Sequence, residues 1–288
     1  DLLYETFLRM LARRPWLLLL LPWWLLRGKA YLKHRLAVHG VGDPALLPYD
    51  SRVLDLLQAS SGRMRVLCTA SDKELVEPIA RHLRLFDAVY CSDGQTNLAG
   101  HRKADLLVAK FGDRGFDYVA NAHVDVAIWK HAHSAWVVNG GKSVARAAAA
   151  CSQLAAHWPG EGGGPRAWLK AMRVHQWLKN LLVFVPLLAS HRFMEPDMVL
   201  SAALAFAAFG LCASGVYLLN DLLDLESDRQ HPRKRKRPFA CGRLSLRSGL
   251  LATPVLTLAG FLVAWWVAPA FLLVLALYFC LTQADTGM

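Results

Sequence analysis

The chain has 288 residues, 55% of them hydrophobic, with 33 Lys and Arg against 22 Asp and Glu, for a net charge of +11. That apolar share excludes a disordered chain and exceeds the usual share of a soluble domain, and the length is ordinary for two domains. Much of the basic excess sits between His231 and Arg247, beside uncharged runs. This position argues for anionic lipid or a phosphorylated substrate and against nucleic acid. The six cysteines have no C-x-x-C or zinc-finger spacing, the pattern of free thiols in a reducing compartment. The chain starts at Asp1 and its tail Gln283–Met288 follows directly on an apolar run, so it reads as truncated at both ends.

The segment Arg13 to Arg27 has a basic start and a short apolar core, like a signal peptide, but Lys29, Lys33 and Arg35 follow instead of a small-residue cleavage site. It is shorter than the about 20 residues a crossing needs, so a buried or interfacial helix is expected. From Met64 short strand patterns alternate with helical ones. Strands are expected over 64–69, 87–92, 117–120 and 135–138, with helices over 72–85, 103–111 and 124–132. That alternation predicts a parallel, Rossmann-like α/β domain over residues 1–155. Residues 156–167 are Gly- and Pro-rich and read as a linker.

Residues 168–288 read as an all-α transmembrane bundle. Met198–Leu219 is uncharged over about 22 residues, enough for one crossing, and Leu250–Thr282 splits at Pro269 into two. A weaker span runs from Val174 to Ser190. The basic stretches 166–179 and 229–247 place residues 1–155 and the 221–248 loop on the cytoplasmic side by the positive-inside rule. The expectation is a multi-pass protein of the inner or plasma membrane.

At the end of the second span stands Asn220-Asp221-x-x-Asp224-x-x-x-Asp228. On a continuing helix Asn220, Asp224, Asp228 and Asp221 fall at roughly 0°, 40°, 80° and 100°, within one sector. Carboxylates so crowded repel, and a divalent cation with hard-oxygen preference, Mg²⁺, removes the conflict. Arg233, Lys234 and Arg237 follow between Pro232 and Pro238 and supply cations for phosphate oxygens. A polybasic tether to anionic lipid is the plainer reading of that loop.

The run N-D-x-x-D-x-x-x-D-R-x-H-P-x-K-x-x-R-P, Asn220 to Pro238, resembles the first Asp-rich motif of the UbiA-type membrane prenyltransferases. It is most similar to the branch containing decaprenyl-phosphate phosphoribosyltransferases. Arg173-Val-His-Gln-Trp177-Leu-Lys179-Asn180 resembles that family's opening motif. The resemblance covers residues 168–282. It implies Mg²⁺ on Asp221, Asp224 and Asp228, and phosphate contacts from Asn220, Lys179, Arg173, Arg237 and Lys234. The donor is then an isoprenoid diphosphate or phosphoribosyl diphosphate, and the acceptor a lipid or an aromatic compound. The family's second Asp-rich motif does not occur here, so these 288 residues are expected to be inactive alone.

In the first half, Thr69, Lys103 and the stretch Asn121-Ala-His-Val-Asp125 occur in an order that resembles haloacid-dehalogenase-type phosphohydrolases. The resemblance implies phosphate binding by Thr69 and Lys103 and a metal ligand in Asp125. That family's Asp-x-Asp strand does not occur in this sequence, and Asn121 stands where an acidic residue is common. A membrane-anchored phosphatase of this type is the alternative to transfer, and a membrane scaffold without activity is a third reading.

Overall fold

A computed structural model of the chain describes residues 2–60, 62–160 and 162–286, with side chains described through Phe279. Asp1, Glu161, Gly287, Met288 and the thiol of Cys280, touched on above, lie outside the described residues. The chain divides into two compact units, Asp1–Gly162 and Gly163–Met288.

The first unit opens with a helical hairpin of α1 (Leu2–Arg13) and α3 (Lys29–Gly40), joined by a 3₁₀ helix (Pro15–Leu20) and α2 (Leu21–Leu26). Met10, Leu17, Trp24 and Leu36 form its core. At Gly40 the two helices touch backbone to backbone, since a Cβ there would lie 2.3 Å from the Thr6 carbonyl oxygen. Of the apolar run in the connection, only Leu17 and Trp24 are buried. The run therefore does not form the buried helix that was one of its two expected forms. Proline at the start of each short helix keeps the segment from becoming one long helix, and most of its side chains point outward.

Helix α4 (Ser51–Ala59) leads into β1 (Val66–Asp72), α5 (Lys73–Leu83), β2 (Ala88–Ser92), α6 (His101–Phe111), β3 (Tyr118–Ala120), α7 (Val126–Trp129), β4 (Ser134–Val138), α8 (Lys142–Ala149) and β5 (Gln153–Trp158). Every strand pairing is parallel. The strands fall into two sheets, β1–β2 and β3–β4–β5, where one sheet was expected. Cys68 of β1 packs against the core under β3 and β4, but no ladder joins the two sheets among the described residues. Strand β5 was not anticipated: Gln-Leu-Ala-Ala-His-Trp is short, lacks β-branched residues and runs into the Gly-rich stretch, so composition masks it. The expected helix 124–132 is reduced to a 3₁₀ turn, His123–Asp125, and the single turn of α7. Trp129 ends it fully buried, its indole N–H donating to the Tyr118 carbonyl at 3.1 Å.

Asp50 ties the start of α4 to the end of β4. Its carboxylate accepts from the Arg52 backbone at 3.1 Å, from the Arg52 guanidinium at 2.6 Å and from the Asn139 amide at 2.9 Å. Arg52 is the main reason its pKa falls to about 2. Because the folded value lies below the unfolded one, this stabilisation is present above about pH 4 and is lost as pH falls toward 2.

The second unit is helical: α9 (Pro165–Ala171), a 3₁₀ helix (Val174–Phe184), α10 (Val185–Ala189), α11 (Pro196–Leu223), α12 (Leu225–Gln230), α13 (Leu246–Val267) and α14 (Pro269–Thr286). Among the described residues, α11 and α13 are long and apolar enough to cross a membrane, with 28 and 22 residues. Pro269 starts α14 after one extended residue, Ala268, so the apolar run divides where the sequence placed the break. The weaker span is not one α-helix. Its 3₁₀ part rises about 2.0 Å per residue, so residues 174–189 reach about 30 Å despite their small number.

Small residues let these helices meet closely. A Cβ on Gly260 of α13 would lie 3.0 Å from the Ala208 carbonyl oxygen of α11, and one on Gly215 would lie 2.3 Å from the Thr257 hydroxyl. Leu251, Val255, Leu258 and Leu262 form an exposed apolar stripe on α13, the face a bilayer would cover.

Gly210 of α11 faces the Trp177 ring, with an added Cβ only 2.5 Å from it. Gly210→Val is expected to cost about 1–3 kcal/mol by overpacking and to lower the thermal midpoint in detergent. Ala203→Val, at an exposed position of the same helix, leaves that midpoint unchanged. A second expectation concerns acid. Asp50→Asn lowers denaturant stability at pH 7 and much less at pH 2, where the wild-type carboxyl is about half protonated.

Candidate functional site

The C-terminal end of α11 carries the acidic motif, but the helix does not run through it. Asp224 has φ −83° and ψ 9° and separates α11 from α12. Helical spacing survives the break, because the Asp224 amide donates to the Asn220 carbonyl and the Asp228 amide to the Asp224 carbonyl, both at 2.8 Å. The reorientation sends the carboxylates to different environments. Asp221 and Asp228 are buried and Asp224 is exposed. A single carboxylate face, expected of an uninterrupted helix, is therefore not what forms.

Two arginines satisfy the buried acids. Arg237 Nη1 donates to Asp221 Oδ1 at 3.1 Å and to both oxygens of Asp228 at 3.0 and 2.7 Å. Arg173 Nη2 donates to Asp221 Oδ1 at 2.7 Å, and its guanidinium lies 4.6 Å from the Tyr217 ring centroid. Arg173 holds this position with a left-handed backbone, φ 50°. Burial raises the pKa of Asp228, against the opposing hydrogen bond and charge of Arg237. Lys234 is half-buried and its charge also reaches Asp228.

The supporting layer comes from the opening motif. Ser214 of α11 donates to the Met172 carbonyl at 2.8 Å and accepts from the Trp177 indole at 3.0 Å, which fixes the chain on both sides of Arg173. Phe239, fully buried after the basic loop, packs against Gly249, where a Cβ would lie 2.6 Å from its ring. The Arg229 guanidinium donates to the Ala240 carbonyl at 3.1 Å and ties the loop back to α12.

Of the residues singled out from sequence, the structure brings Asp221, Asp228, Arg173 and Arg237 into direct contact. Asn220 is half-buried at the same helix end, and its carboxamide makes no hydrogen bond among the described residues. Lys179 is exposed on the 3₁₀ helix and touches none of them. The donor atoms are hard oxygens, which suit Mg²⁺, but among the described residues Asp221, Asp224 and Asp228 do not bring one ligand atom each within 4.8 Å of one another. The one group of three metal-capable side chains within 4.8 Å among the described residues is His34, Asp72 and Glu74. There Asp72 caps α5 through the Glu74 amide and pairs with His34 at 3.2 Å. Arg237 holds both oxygens of Asp228, so an ion there competes with it, whereas both arginines meet Asp221 through Oδ1.

In the first unit, Lys103 is buried and its ammonium donates to the Tyr118 hydroxyl at 3.0 Å, which donates in turn to Asp125 at 3.5 Å. Burial raises the pKa of Asp125, against the nearby Lys103 charge. Thr69 sits on β1, where its hydroxyl accepts from the Ser71 amide at 3.2 Å and bonds to neither of the other two. Asn121, at the end of β3, meets the Asp125 carboxylate through a backbone hydrogen bond. His131 pairs with Asp113 at 2.7 Å and His123 with Ser143 at 3.3 Å, so neither joins Asp125.

Two participants were not apparent in the sequence. Lys33 of α3 donates to the Ala70 carbonyl at 3.1 Å and to Asn97 at 2.9 Å, and burial together with the Lys103 charge lowers its pKa. No spacing links a lysine of the opening hairpin to β1. Tyr118, whose pKa burial raises, lies inside a strand pattern that explains a tyrosine without it.

Residues 181–284 match the family model for the UbiA prenyltransferase family. The chain is 36% identical over 288 residues to a Sinorhizobium fredii protein described as uncharacterized protein y4nM, covering 99% of this chain and 55% of that one. It is 38% identical over 120 residues to the decaprenyl-phosphate phosphoribosyltransferase of Mycolicibacterium smegmatis, 40% of this chain and 38% of the enzyme. It is 46% identical over 93 residues to nodulation protein NoeC of Azorhizobium caulinodans, 32% of this chain and 30% of the relative. The chain thus spans about half the length, or less, of these relatives.

Arg237 is the shared partner of two buried carboxylates. Arg237→Ala leaves Asp228 without its cation and is expected to destabilise the second unit by about 3 kcal/mol. The double variant Arg237→Ala/Asp228→Asn recovers part of that loss, a coupling measured by a double-mutant cycle in detergent.

Proposed function

We propose that this chain, whose second half carries UbiA-family sequence, acts in a membrane-embedded transferase of that type. The reaction moves a prenyl or phosphoribosyl group from a diphosphate donor to a lipid or aromatic acceptor. The observation that carries the reading is the pairing of Asp221 and Asp228 with Arg173 and Arg237 at the end of an apolar 28-residue helix. Ionisable groups at such a place are functional by default, and a structural role alone does not call for one shared arginine and a second on Asp221 beside a third, exposed carboxylate. The likeness to a decaprenyl-phosphate phosphoribosyltransferase supports the phosphoribosyl branch.

The chemistry follows from exchange of partners. Arg173 and Arg237 leave the carboxylates for donor phosphate oxygens, where a guanidinium binds in two-pronged fashion. Asp221 and Asp228, with Asp224 and the oxygen of Asn220, are the residues that would hold Mg²⁺. The ion supplies charge stabilisation for the departing diphosphate. Lys234 adds a positive charge from the loop, and Lys179 meets donor or lipid headgroup at the span's edge. Tyr217, under Arg173, keeps its guanidinium from swinging into solvent.

The same reading places the protein in the inner or plasma membrane with several crossings. Residues 1–155 are cytoplasmic, as is the basic loop after α12. The parallel strands and the Lys103–Tyr118–Asp125 line support a phosphohydrolase-like origin for the first unit, of haloacid-dehalogenase type. A membrane-anchored phosphatase using Thr69, Lys103 and an Asp125-bound metal is the second reading that this line favours.

Binding of phosphoribosyl diphosphate or an isoprenoid diphosphate to the chain in lipid nanodiscs separates the two. Donor binding is expected to need Mg²⁺ and to weaken at least about tenfold in Asp221→Asn and Asp228→Asn, with Lys103→Ala unaffected. Donor binding that EDTA leaves unchanged contradicts the transferase site. Phosphate release that is lost in Lys103→Ala and kept in Asp221→Asn favours the phosphatase.

A further inference from the structure

The hairpin connection of the first unit exposes an unusual amount of apolar surface. Trp16 is 62% exposed, Leu19 83%, Trp23 53% and Leu26 84%. All four lie within the two short helices Pro15–Leu20 and Leu21–Leu26. The opposite face is anchored, because Leu17 and Trp24 are buried in the hairpin core and Leu21 packs against it. Positions 17, 21 and 24 make one inward stripe at helical spacing, which turns the remaining tryptophans and leucines outward as a fixed set. This is a built surface held by its own core.

Basic groups flank it. Arg14, Arg27 and Lys29 are exposed at the two ends of the segment. The Arg27 guanidinium lies 4.9 Å from the Trp23 ring centroid and 5.5 Å from that of Tyr31, which aligns charge with the edge of the apolar patch. No acidic residue occurs between Arg9 and Lys33. Tryptophan beside Arg and Lys is the composition that settles at a membrane–water boundary. The segment has too few residues to cross a bilayer, which leaves lying on one. The same polypeptide carries two helices of membrane-crossing length, so its first unit works close to lipid.

We propose that residues 15–27 dock the first unit onto an anionic bilayer surface, with Trp16, Leu19, Trp23 and Leu26 inserted at the headgroup level and Arg14, Arg27 and Lys29 on the lipid phosphates. A protein partner is the competing occupant. The uniform positive rim and the absence of any acidic or amide group on the patch favour lipid, since a protein interface of this size needs directional polar pairing at its rim.

The test uses the full chain in nanodiscs, with its native cysteines replaced by alanine and one cysteine introduced for a polarity-sensitive fluorophore. The probe stands at Leu19→Cys, or at Lys110→Cys on the exposed face of α6 as the reference. In discs containing phosphatidylglycerol, the Leu19 probe is expected to be blue-shifted and quenched by brominated lipid. It is also expected to be about fivefold less accessible to iodide than the Lys110 probe. In pure phosphatidylcholine, loss of the electrostatic part reduces that protection. The unsubstituted chain gives the matching readout by hydrogen exchange, with amides 15–27 slowed in anionic discs relative to detergent. Equal iodide access at both probes overturns the proposal. Protection of Leu19 from iodide without quenching by brominated lipid overturns it too, because protein then covers the patch.

Discussion

One guanidinium organises the membrane-edge chemistry. Arg237 Nη1 bridges Asp221, on the last turn of a long apolar helix, and Asp228, on the short helix that follows. Two buried carboxylates so close to lipid are untenable without cations, and the helix end can take its observed form because Arg237 and Arg173 reach it from either side in sequence. The break at Asp224, the return of the loop through Pro238 and Phe239, and the left-handed turn at Arg173 all serve that meeting. Ser214 and Trp177 then fix the strand of chain that delivers Arg173.

This arrangement changes the meaning of the acidic motif. Read as a helix face, it is three carboxylates in need of a divalent ion. Folded, two of them already have partners, and the third stands in solvent. A diphosphate offers the arginines what the carboxylates offer now, with more oxygens and more charge. On the proposed reading, the arginines are held in position until a polyanion competes for them, and the acids they leave would then be open to a metal ion.

Much of the second unit was legible because lipid imposes simple rules. Uncharged length located α11 and α13, and Pro269 located the start of α14. The residues of the site were legible by type and order, since Asp, Arg and Lys at a span's end have few other uses. Their pairing was not, because it depends on a break at Asp224 that no proline or glycine signals, and on Arg173, which is 48 residues from Asp221 in sequence. In the first unit, alternation revealed four strands but not β5, whose alanines carry no strand signature. Division into two sheets was hidden as well, because pairing between strands distant in sequence leaves no local pattern. Lys33 and Tyr118 were missed for the same reason: each matters through a neighbour that only the fold supplies.

Exchange of partners at Arg237 has a thermodynamic signature. If the arginines release Asp221 and Asp228 only when phosphate takes them, Mg²⁺ and diphosphate must bind with positive coupling. The direct measurement is calorimetric titration of Mg²⁺ into the nanodisc-embedded chain with and without saturating inorganic diphosphate, corrected for the Mg²⁺ that diphosphate binds in solution. Affinity for Mg²⁺ at least about tenfold higher with diphosphate, and coupling lost in Arg237→Ala, is the predicted result. Equal Mg²⁺ affinity in both conditions contradicts the exchange.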